Sequence, residues 1–247
     1  MEKLVRPKKE NVQDGGLSGG CWQCFINKAA GLVADLSPAA VEVFDRAKIT
    51  RHYPRGSILY HQGSLGHGLF CIRSGRIKVY NTDTSGKLHI LRLAGAGDFL
   101  GTSSFVTRRP HSSTAEAMSP AVVCLICGEA VRSALESDPQ IANNIMSSLA
   151  HALENTEAHL ATLARLSSTC RIVKVLLENS QPTAHEALVA PLTREEIGNL
   201  SSTCIETVSR LLHSLARQGM LRLRVRAIYI VNRAALEDLV TASAGES

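Results

Sequence analysis

The side chains with the richest chemistry in this chain are its seven cysteines. Cys21 and Cys24 form a Cys-x-x-Cys motif in the segment SGGCWQC, and Cys124 lies far along the chain in the segment VVCLIC. Thiolates are soft ligands that suit iron–sulfur clusters or zinc, and they also undergo disulfide exchange. A lone Cys-x-x-Cys motif is a weak signal, so the residues alone leave metal ligation, redox sensing and plain burial open.

The other cysteines carry different expectations. If Cys124 and Cys127 share a strand, their spacing of three sends the two side chains to opposite faces. They then cannot hold one metal together; Cys124 is the better ligand and Cys127 is expected in the core. Cys71 and Cys170 are expected to be buried as small apolar residues. Cys204 opens a helix, where the pKa of a thiol can fall and favour redox reactions.

Composition limits the class of protein. The chain has 247 residues, 45% of them hydrophobic, which predicts a folded protein with two domains. Its 27 basic and 22 acidic residues give a net charge of +5, which suits a polyanionic partner without requiring one. No apolar run is long enough to span a membrane, and the first residues do not form a signal peptide. We therefore expect a cytoplasmic protein without a membrane partner or a disulfide framework.

The elements that must position these residues change character along the chain. Residues 1–30 read as a flexible N-terminal arm that carries the cysteine pair, and residues 31–138 as a sensor domain. Short apolar runs separated by glycines between Ile49 and Leu125 predict an antiparallel β-roll.

Residues 139–167 have no internal glycine or proline after Pro139 and predict one long helix. Its apolar positions alternate by four and three, as in a coiled coil, so we interpret it as a dimerisation helix. The alternative is a helix packed on its own domain. The predicted seam comprises Ile145, Leu149, Ala152, Thr156, His159, Leu163 and Leu166.

Residues 168–247 predict a winged helix-turn-helix, which makes the fold class α+β. Thr193 and Glu196 form a capping box that opens one helix. A short turn at residues 201–202 leads to a second helix that ends near Gly219, whose residue type predicts a C′ position. Two alternating segments, 221–226 and 228–231, predict a hairpin wing.

The second of these helices carries the candidate DNA-reading residues. Glu206, Ser209 and Arg210 lie on one outer face, and such side chains bond cytosine, several bases and guanine, respectively. Thr203 completes the set, while the wing residues Arg222, Arg224 and Arg226 share one strand face suited to phosphates. The alternatives are a capping box between Thr203 and Glu206, and a solvated strand face for the arginines.

At these residues the chain resembles the CRP/FNR family, the cyclic-AMP receptor and fumarate–nitrate-reduction regulators. The segment LTREEIGNLSSTCIETVSRLLHSLARQGML is similar to the family's DNA-binding helix pair. The segments LFCIRSGRIKVY and LAGAGDFLGTSSF are similar to its β-roll, a cyclic-nucleotide-binding-like jelly roll. The pattern Ile205-Glu206-x-x-Ser209-Arg210 resembles the FNR branch, and Ser202 stands in the turn where glycine is usual.

The resemblance implies a non-enzymatic transcription regulator, an activator or a repressor, that binds double-stranded DNA as a homodimer and contacts RNA polymerase. It also implies palindromic FNR-like sites, TTGAT paired with ATCAA. An oxidoreductase using Cys21 and Cys24 is disfavoured, because that motif lies in the arm and not at a helix start beside a βαβ unit.

The resemblance also bears on the signal. Where cyclic-AMP-binding members have a glutamate and an arginine, this chain has Thr102 and Ser112, so cyclic AMP is not expected. Cys21, Cys24 and Cys124 match three of the four thiolates of an FNR-type 4Fe–4S cluster, while Ala30 occupies the fourth position. Asp35 or a small molecule could complete the site. The alternatives are a thiol–disulfide switch of the same cysteines, a haem that senses NO or CO, or no cofactor.

Overall fold

The structure is a computed structural model that describes residues 35–84, 86, 88–183, 188–224 and 227–244. Cys21, Cys24, Ala30 and Arg226 therefore lie outside the described residues. The first part of the described chain holds eight strands and four helices: α1 (Pro38–Ala47), β1 (Lys48–Tyr53), β2 (Ile58–Tyr60), β3 (Gly68–Ser74), β4 (Ile77–Thr82), β5 (Leu88–Ala94), β6 (Phe99–Leu100), α2 (Thr102–Thr107), β7 (Thr114–Ala117), β8 (Ala121–Cys127), α3 (Gly128–Ser137) and α4 (Gln140–Arg165).

The strands form the antiparallel roll that the sequence predicts. One sheet has the order β1-β8-β3-β6 and the other β2-β7-β4-β5. Because side chains alternate along a strand, β3 sends Phe70 and Ile72 into the core between the sheets. It sends Leu69 and Cys71 to the opposite face, which α1, α3 and the start of α4 cover. Burial of both faces explains the almost continuous apolar run of β3.

The long helix α4 spans 26 residues and begins against the roll. Ile141 and Ile145 are buried in the cluster that also contains Phe44 of α1 and Val131 of α3. Beyond this contact the helix has no further fully buried residue. Its N-terminal part is therefore fixed to the roll, and its C-terminal part leads to the second domain.

The rest of the described chain confirms the winged helix-turn-helix, and with the roll it confirms an α+β fold. It contains α5 (Ser168–Glu178), β9 (Gln181–Pro182), β10 (Leu188–Ala190), α6 (Arg194–Ser201), α7 (Ile205–Arg217), β11 (Leu221–Arg224), β12 (Ala227–Ile230) and α8 (Arg233–Ala244). The four strands form one sheet in the order β11-β12-β10-β9.

Two local predictions in this domain are confirmed. Thr193 and Glu196 form the capping box, with Thr193 N donating to Glu196 Oε2 at 2.7 Å and Glu196 N donating to Thr193 Oγ1 at 3.2 Å. Gly219 follows the end of α7 with φ of 76°, a left-handed conformation that favours glycine.

The winged domain packs directly on the roll. Met118, which follows β7, is 5% exposed and belongs to the core of the winged domain. Arg55 lies 3.2 Å from the capping-box carboxylate of Glu196, and Arg76 donates to Asn179 Oδ1 at 2.5 Å. The interface thus combines apolar burial with polar contacts between the two domains.

Candidate nucleic-acid interface and sensor site

The helix α7 is held by one apolar face. Val208 and Leu212 are fully buried and Leu215 is 2% exposed, so the helix is anchored in the core of the winged domain. Ile205 precedes Val208 by three residues on the same side of the helix, yet it is 46% exposed, because it is the first helical residue. The opposite face of α7 is available to a partner.

Glu206 and Arg210 are exposed on that opposite face, and Ser209 between them is half-buried. Within the described part of the chain, neither Glu206 nor Arg210 has a hydrogen bond or ion pair that would give it a structural role. The suggested capping box with Thr203 does not form. Cys204 occupies the N-cap position without a side-chain cap, and the Thr203 hydroxyl donates to Ser201 O at 3.1 Å.

The wing places its basic residues as the alternation predicts. In β11, Arg222 and Arg224 are exposed, whereas Leu221 is buried and Leu223 half-buried. The wing and α7 belong to the same small domain, because β11 and α7 both contribute to its core. The arrangement can offer a base-reading helix together with a strand of positive charge.

The turn that sets the start of α7 is tight. Ser202 has φ of 50° and ψ of 50°, so the residue that replaces the usual glycine adopts a left-handed conformation. Such a conformation costs a non-glycine residue about 1 kcal/mol. At Gly198 a Cβ atom would lie 2.8 Å from Thr203 O, so only glycine allows the turn to approach α6 this closely.

The predicted dimer seam lies on a face of α4 whose first positions contact the chain's own roll. Ile145 is buried in the roll cluster and Leu149 packs against it, so these two residues have contacts within their own chain. Ala152, Thr156, His159 and Leu163 line a cleft of about 860 Å³ that β5 and α5 also border. Pairing along these four positions stays a prediction.

A second apolar stripe lies one residue further along on α4. Met146, Leu153 and Leu160 repeat every seven residues and are 58%, 60% and 59% exposed. Large apolar side chains at a heptad spacing on a long helix are typical of a helix-pairing surface. The sequence analysis predicted only the neighbouring stripe. Both stripes repeat every seven residues, so the period alone does not distinguish them.

The cysteines separate into buried and exposed positions. Cys124 is 3% exposed and its Sγ lies 3.5 Å from Thr50 Oγ1. Cys127 is exposed at the end of the same strand, so the two thiols do lie on opposite sides, but the expected core position of Cys127 is wrong. Its exposure follows from its place at the N-cap of α3. Cys71 and Cys170 are buried as expected.

Strand pairing adds a neighbour to Cys124 that its sequence position does not suggest. Cys71 on β3 is directly opposite Cys124 on β8, and both belong to the cluster under α1, α3 and α4. Directly paired residues on one sheet face have Cβ atoms about 4.5–5.5 Å apart. Among the described residues, no group of three or more His, Cys, Asp or Glu side chains is placed to hold a metal.

The loop and helix between β6 and β7 form the part of the roll that would hold a nucleotide phosphate. Thr102 begins α2 and is 8% exposed, whereas Ser112 is exposed at the surface. His111, the residue before Ser112, is 5% exposed and its ring stacks on Tyr60 with a centroid distance of 3.9 Å and an interplanar angle of 15°.

Burial shifts the pKa of both rings of this stack towards the neutral form, while the charge of Arg92 partly opposes the shift of Tyr60. Burial lowers the pKa of His111 below its ordinary value, and the nearby His67 lowers it further. Burial raises the pKa of Tyr60, which keeps its hydroxyl protonated. Arg108 and Arg109 are exposed on the adjoining loop, and Arg109 uses its carbonyl to accept from Ser104 Oγ at 2.5 Å. The buried side chains of the region therefore provide no cation for a phosphate.

Sequence families match both parts of the chain. The "Cyclic nucleotide-binding domain" family matches residues 50–138, and the "Crp-like helix-turn-helix domain" family matches residues 170–239. Within the first match, the buried polar side chains around Thr102 and His111 include no lysine or arginine among the described residues. The second match covers α5 to α8 and includes all the candidate DNA-reading residues.

The chain is similar to individual relatives from both the cyclic-AMP receptor branch and the FNR branch. The chain is 30% identical to the "cAMP-activated global transcriptional regulator CRP" of Pasteurella multocida over 72% of this chain and 88% of that protein. It is 26% identical to the "Fumarate and nitrate reduction regulatory protein" of Vibrio cholerae over 96% of this chain and 97% of that protein. The structure of FixK2 from Bradyrhizobium japonicum is similar with a TM-score of 0.68 and 26% identity, over 78% of this chain and 96% of that one.

A search of the described helices for bilayer-spanning segments finds none with the required length and apolar character.

Proposed function

Because the chain belongs to the CRP/FNR family of transcription regulators, which bind DNA and are not enzymes, we propose that it is a homodimer that reads palindromic FNR-like sites. The observation that carries this proposal is the outer face of α7. There Glu206 and Arg210 are exposed, and no described contact ties either side chain to the fold. Charged side chains without a structural role on a helix anchored by its other face are suited to base edges in the major groove.

The remaining contacts follow from the same domain. Ser209 lies between Glu206 and Arg210 and adds a hydroxyl that can serve several bases. Thr203, at the turn before α7, and the wing residues Arg222 and Arg224 are suited to the phosphate backbone. As a transcription activator, such a protein has RNA polymerase as a further partner.

Dimerisation is proposed through the exposed stripe of α4. Met146, Leu153 and Leu160 provide an apolar seam along the helix, and pairing with a second copy about a two-fold axis would bury it. A two-fold axis also places two recognition helices on one face of DNA, about one helical turn apart. A symmetric operator is the direct consequence.

The DNA-reading proposal is tested by selecting bound duplexes from a random pool. We expect two inverted half-sites of the form TTGAT and ATCAA, with centres about one helical turn apart. Selection of a TGTGA half-site, as read by cyclic-AMP receptors, or of a site without symmetry would contradict it.

The dimer proposal has its own test. Leu153→Glu should convert the protein to a monomer in sedimentation analysis, because a charge would be buried in the seam. Leu65, which is 65% exposed in the roll, provides the matched control, and Leu65→Glu should remain dimeric. A dimeric Leu153→Glu variant would exclude this stripe as the seam.

For the signal, we propose an oxygen-labile iron–sulfur cluster held by Cys21, Cys24 and Cys124. Thiolates are the ligands such clusters require, and Cys124 faces the cluster of side chains that includes Leu36. Leu36 follows Cys24 by 12 residues, which extended would reach about 40 Å, so the arm is long enough to return to Cys124. When bound, the cluster would supply sensitivity to oxygen or NO.

Cyclic AMP is not proposed as the signal, because Thr102 and Ser112 stand where cyclic-AMP-binding members have a glutamate for the ribose and an arginine for the phosphate. The cluster is tested by the visible spectrum, iron content and acid-labile sulfide of anaerobically purified protein. Serine at position 21, 24 or 124 should abolish the cluster. Cys127→Ser is the control on the same strand as Cys124 and should retain it. Iron-free, colourless protein that binds DNA equally before and after air would contradict the cluster and favour the thiol switch. A Soret band would instead indicate haem.

A further inference from the structure

Arg171 contacts both the end of the long helix α4 and the turn before the DNA-reading helix α7. It lies in the first turns of α5, and its guanidinium donates to carbonyl groups of two separate segments. One acceptor is Leu166 O, at 3.0 Å from an Nη atom, where Leu166 is the residue that ends α4. The others are Ser201 O, at 2.9 Å from Nε, and Ser202 O, at 3.5 Å from the second Nη atom.

These acceptors are functionally distinct. Leu166 marks the C-terminal end of the long helix. The last carbonyl groups of a helix accept no hydrogen bond from an N–H group of the same helix. Ser201 and Ser202 form the turn between α6 and α7, and Ile205 begins α7 three residues later. A single planar cation thus connects the end of the long helix with the start of the DNA-reading helix.

The turn at this point depends on outside support. Ser202 holds a left-handed conformation without being glycine, and Ser201 O accepts both from Arg171 Nε and from the Thr203 hydroxyl at 3.1 Å. An arginine is also unfavourable near the start of a helix, because both the helix N-terminus and the side chain are positive. Its presence at this place in α5 indicates that its contacts outside the helix outweigh that cost.

We propose that Arg171 is a positioning residue that fixes α7 relative to the end of α4, and through it sets the spacing of half-sites that the dimer accepts. The residue contacts no base in this proposal. It transmits the position of the paired long helices to the recognition helices, because the same guanidinium restrains both. The proposal rests on the proposed binding of a symmetric operator by a dimer.

The geometry of the side chain matters as much as its charge. Arginine presents five donors in a rigid plane, so one side chain can donate hydrogen bonds to three carbonyl groups that lie in two directions. Lysine has a single ammonium group on a flexible chain and cannot span the same acceptors. Arg171→Lys should therefore behave like Arg171→Ala, which a requirement for positive charge alone would not produce.

The test uses the full chain and three DNA duplexes that differ only in half-site separation: the preferred one, one base pair shorter and one base pair longer. The affinity of each is measured by fluorescence anisotropy. We expect Arg171→Ala and Arg171→Lys to lose about 10-fold affinity for the preferred duplex. They should lose less than about 3-fold for the other two, so that discrimination by spacing declines.

Arg165 provides the matched control, since it is an exposed arginine in the last turn of α4. Arg165→Ala should leave all three affinities unchanged. Thermal unfolding of each variant separates positioning from stability, and Arg171→Lys replaces Arg171→Ala in the comparison if the alanine variant does not fold. An equal loss on all three duplexes, or full discrimination retained by both variants, would overturn the role of Arg171. A wild-type protein without any spacing preference would instead contradict the dimeric operator itself, and this inference with it.

Discussion

The phosphate region of the roll and the outer face of α7 are both suited by position to bind a charged ligand, yet their side chains differ in kind. In the roll, His111 is buried and stacked on Tyr60, and burial lowers its pKa. On α7, Glu206 and Arg210 are exposed and charged, and no described contact ties them to the fold. In the roll, the polar rings of His111 and Tyr60 pack against each other. On α7, the charged groups of Glu206 and Arg210 remain exposed to a partner. Exposed charged side chains that make no described contact within the fold indicate where a partner binds.

The largest expected effect on DNA affinity comes from removing a base-reading charge on α7. Arg210→Ala should weaken binding to the preferred operator by about 1–3 kcal/mol, or roughly 5–150-fold, and relax specificity at one base position. Binding to unrelated DNA should change little, because its main contribution comes from phosphate contacts. Anisotropy titrations against the operator and its single-base variants provide the measurement. Arg217→Ala, at the exposed far end of α7, is the control. Equal weakening on every sequence would reassign Arg210 to the backbone.

A smaller effect is expected when the packed histidine is replaced. The pKa of His111 is lower in the folded protein than its ordinary value of 6.5, so the unfolded chain binds a proton more readily. Stability from this residue is thus present above about pH 6.5 and declines as the pH falls through the folded pKa. His111→Phe, which keeps a ring beside Tyr60, should flatten the decline of melting temperature below that pH. His52→Phe replaces an exposed histidine of β1 and should retain the wild-type slope. An unchanged slope in His111→Phe would show that the ring is not held neutral.

The smallest expected effect is none. Cyclic AMP at millimolar concentration should leave both the melting temperature and operator affinity unchanged, because no buried cation faces the phosphate region among the described residues. A ligand bound only to the folded state at 100 times its Kd would add about 2.7 kcal/mol of stability, which a melting experiment detects easily. A saturable upward shift with cyclic AMP would remove the contrast between the two regions.

Local features of the sequence predicted much of the fold. The capping box at Thr193 and Glu196 and the left-handed Gly219 depend on neighbouring residues only, and the alternation in β11 follows from strand geometry. The face of a long helix is a different problem. Periodicity predicted an apolar stripe on α4 but could not decide which of two adjacent stripes contacts the chain's own roll, because that depends on distant elements.

Contacts between distant segments account for the rest. The position of Cys71 opposite Cys124 depends on the pairing of β3 with β8, which no local spacing encodes. The role of Arg171 likewise depends on the approach of the turn at Ser201 to the end of α4. The only local hint was an arginine in an unfavourable place near a helix start. The burial of His111 similarly required the folded roll.

Met118 has a consequence for how the chain folds and evolves. This roll residue is a member of the winged domain's core, so the winged domain does not complete its core alone. Removing the roll would expose an apolar opening of methionine size, a loss that costs about 2–5 kcal/mol in well-packed proteins. The two domains should therefore melt in one cooperative transition. A recombined chain that joins this winged domain to another roll would need a side chain of matching shape at the same point.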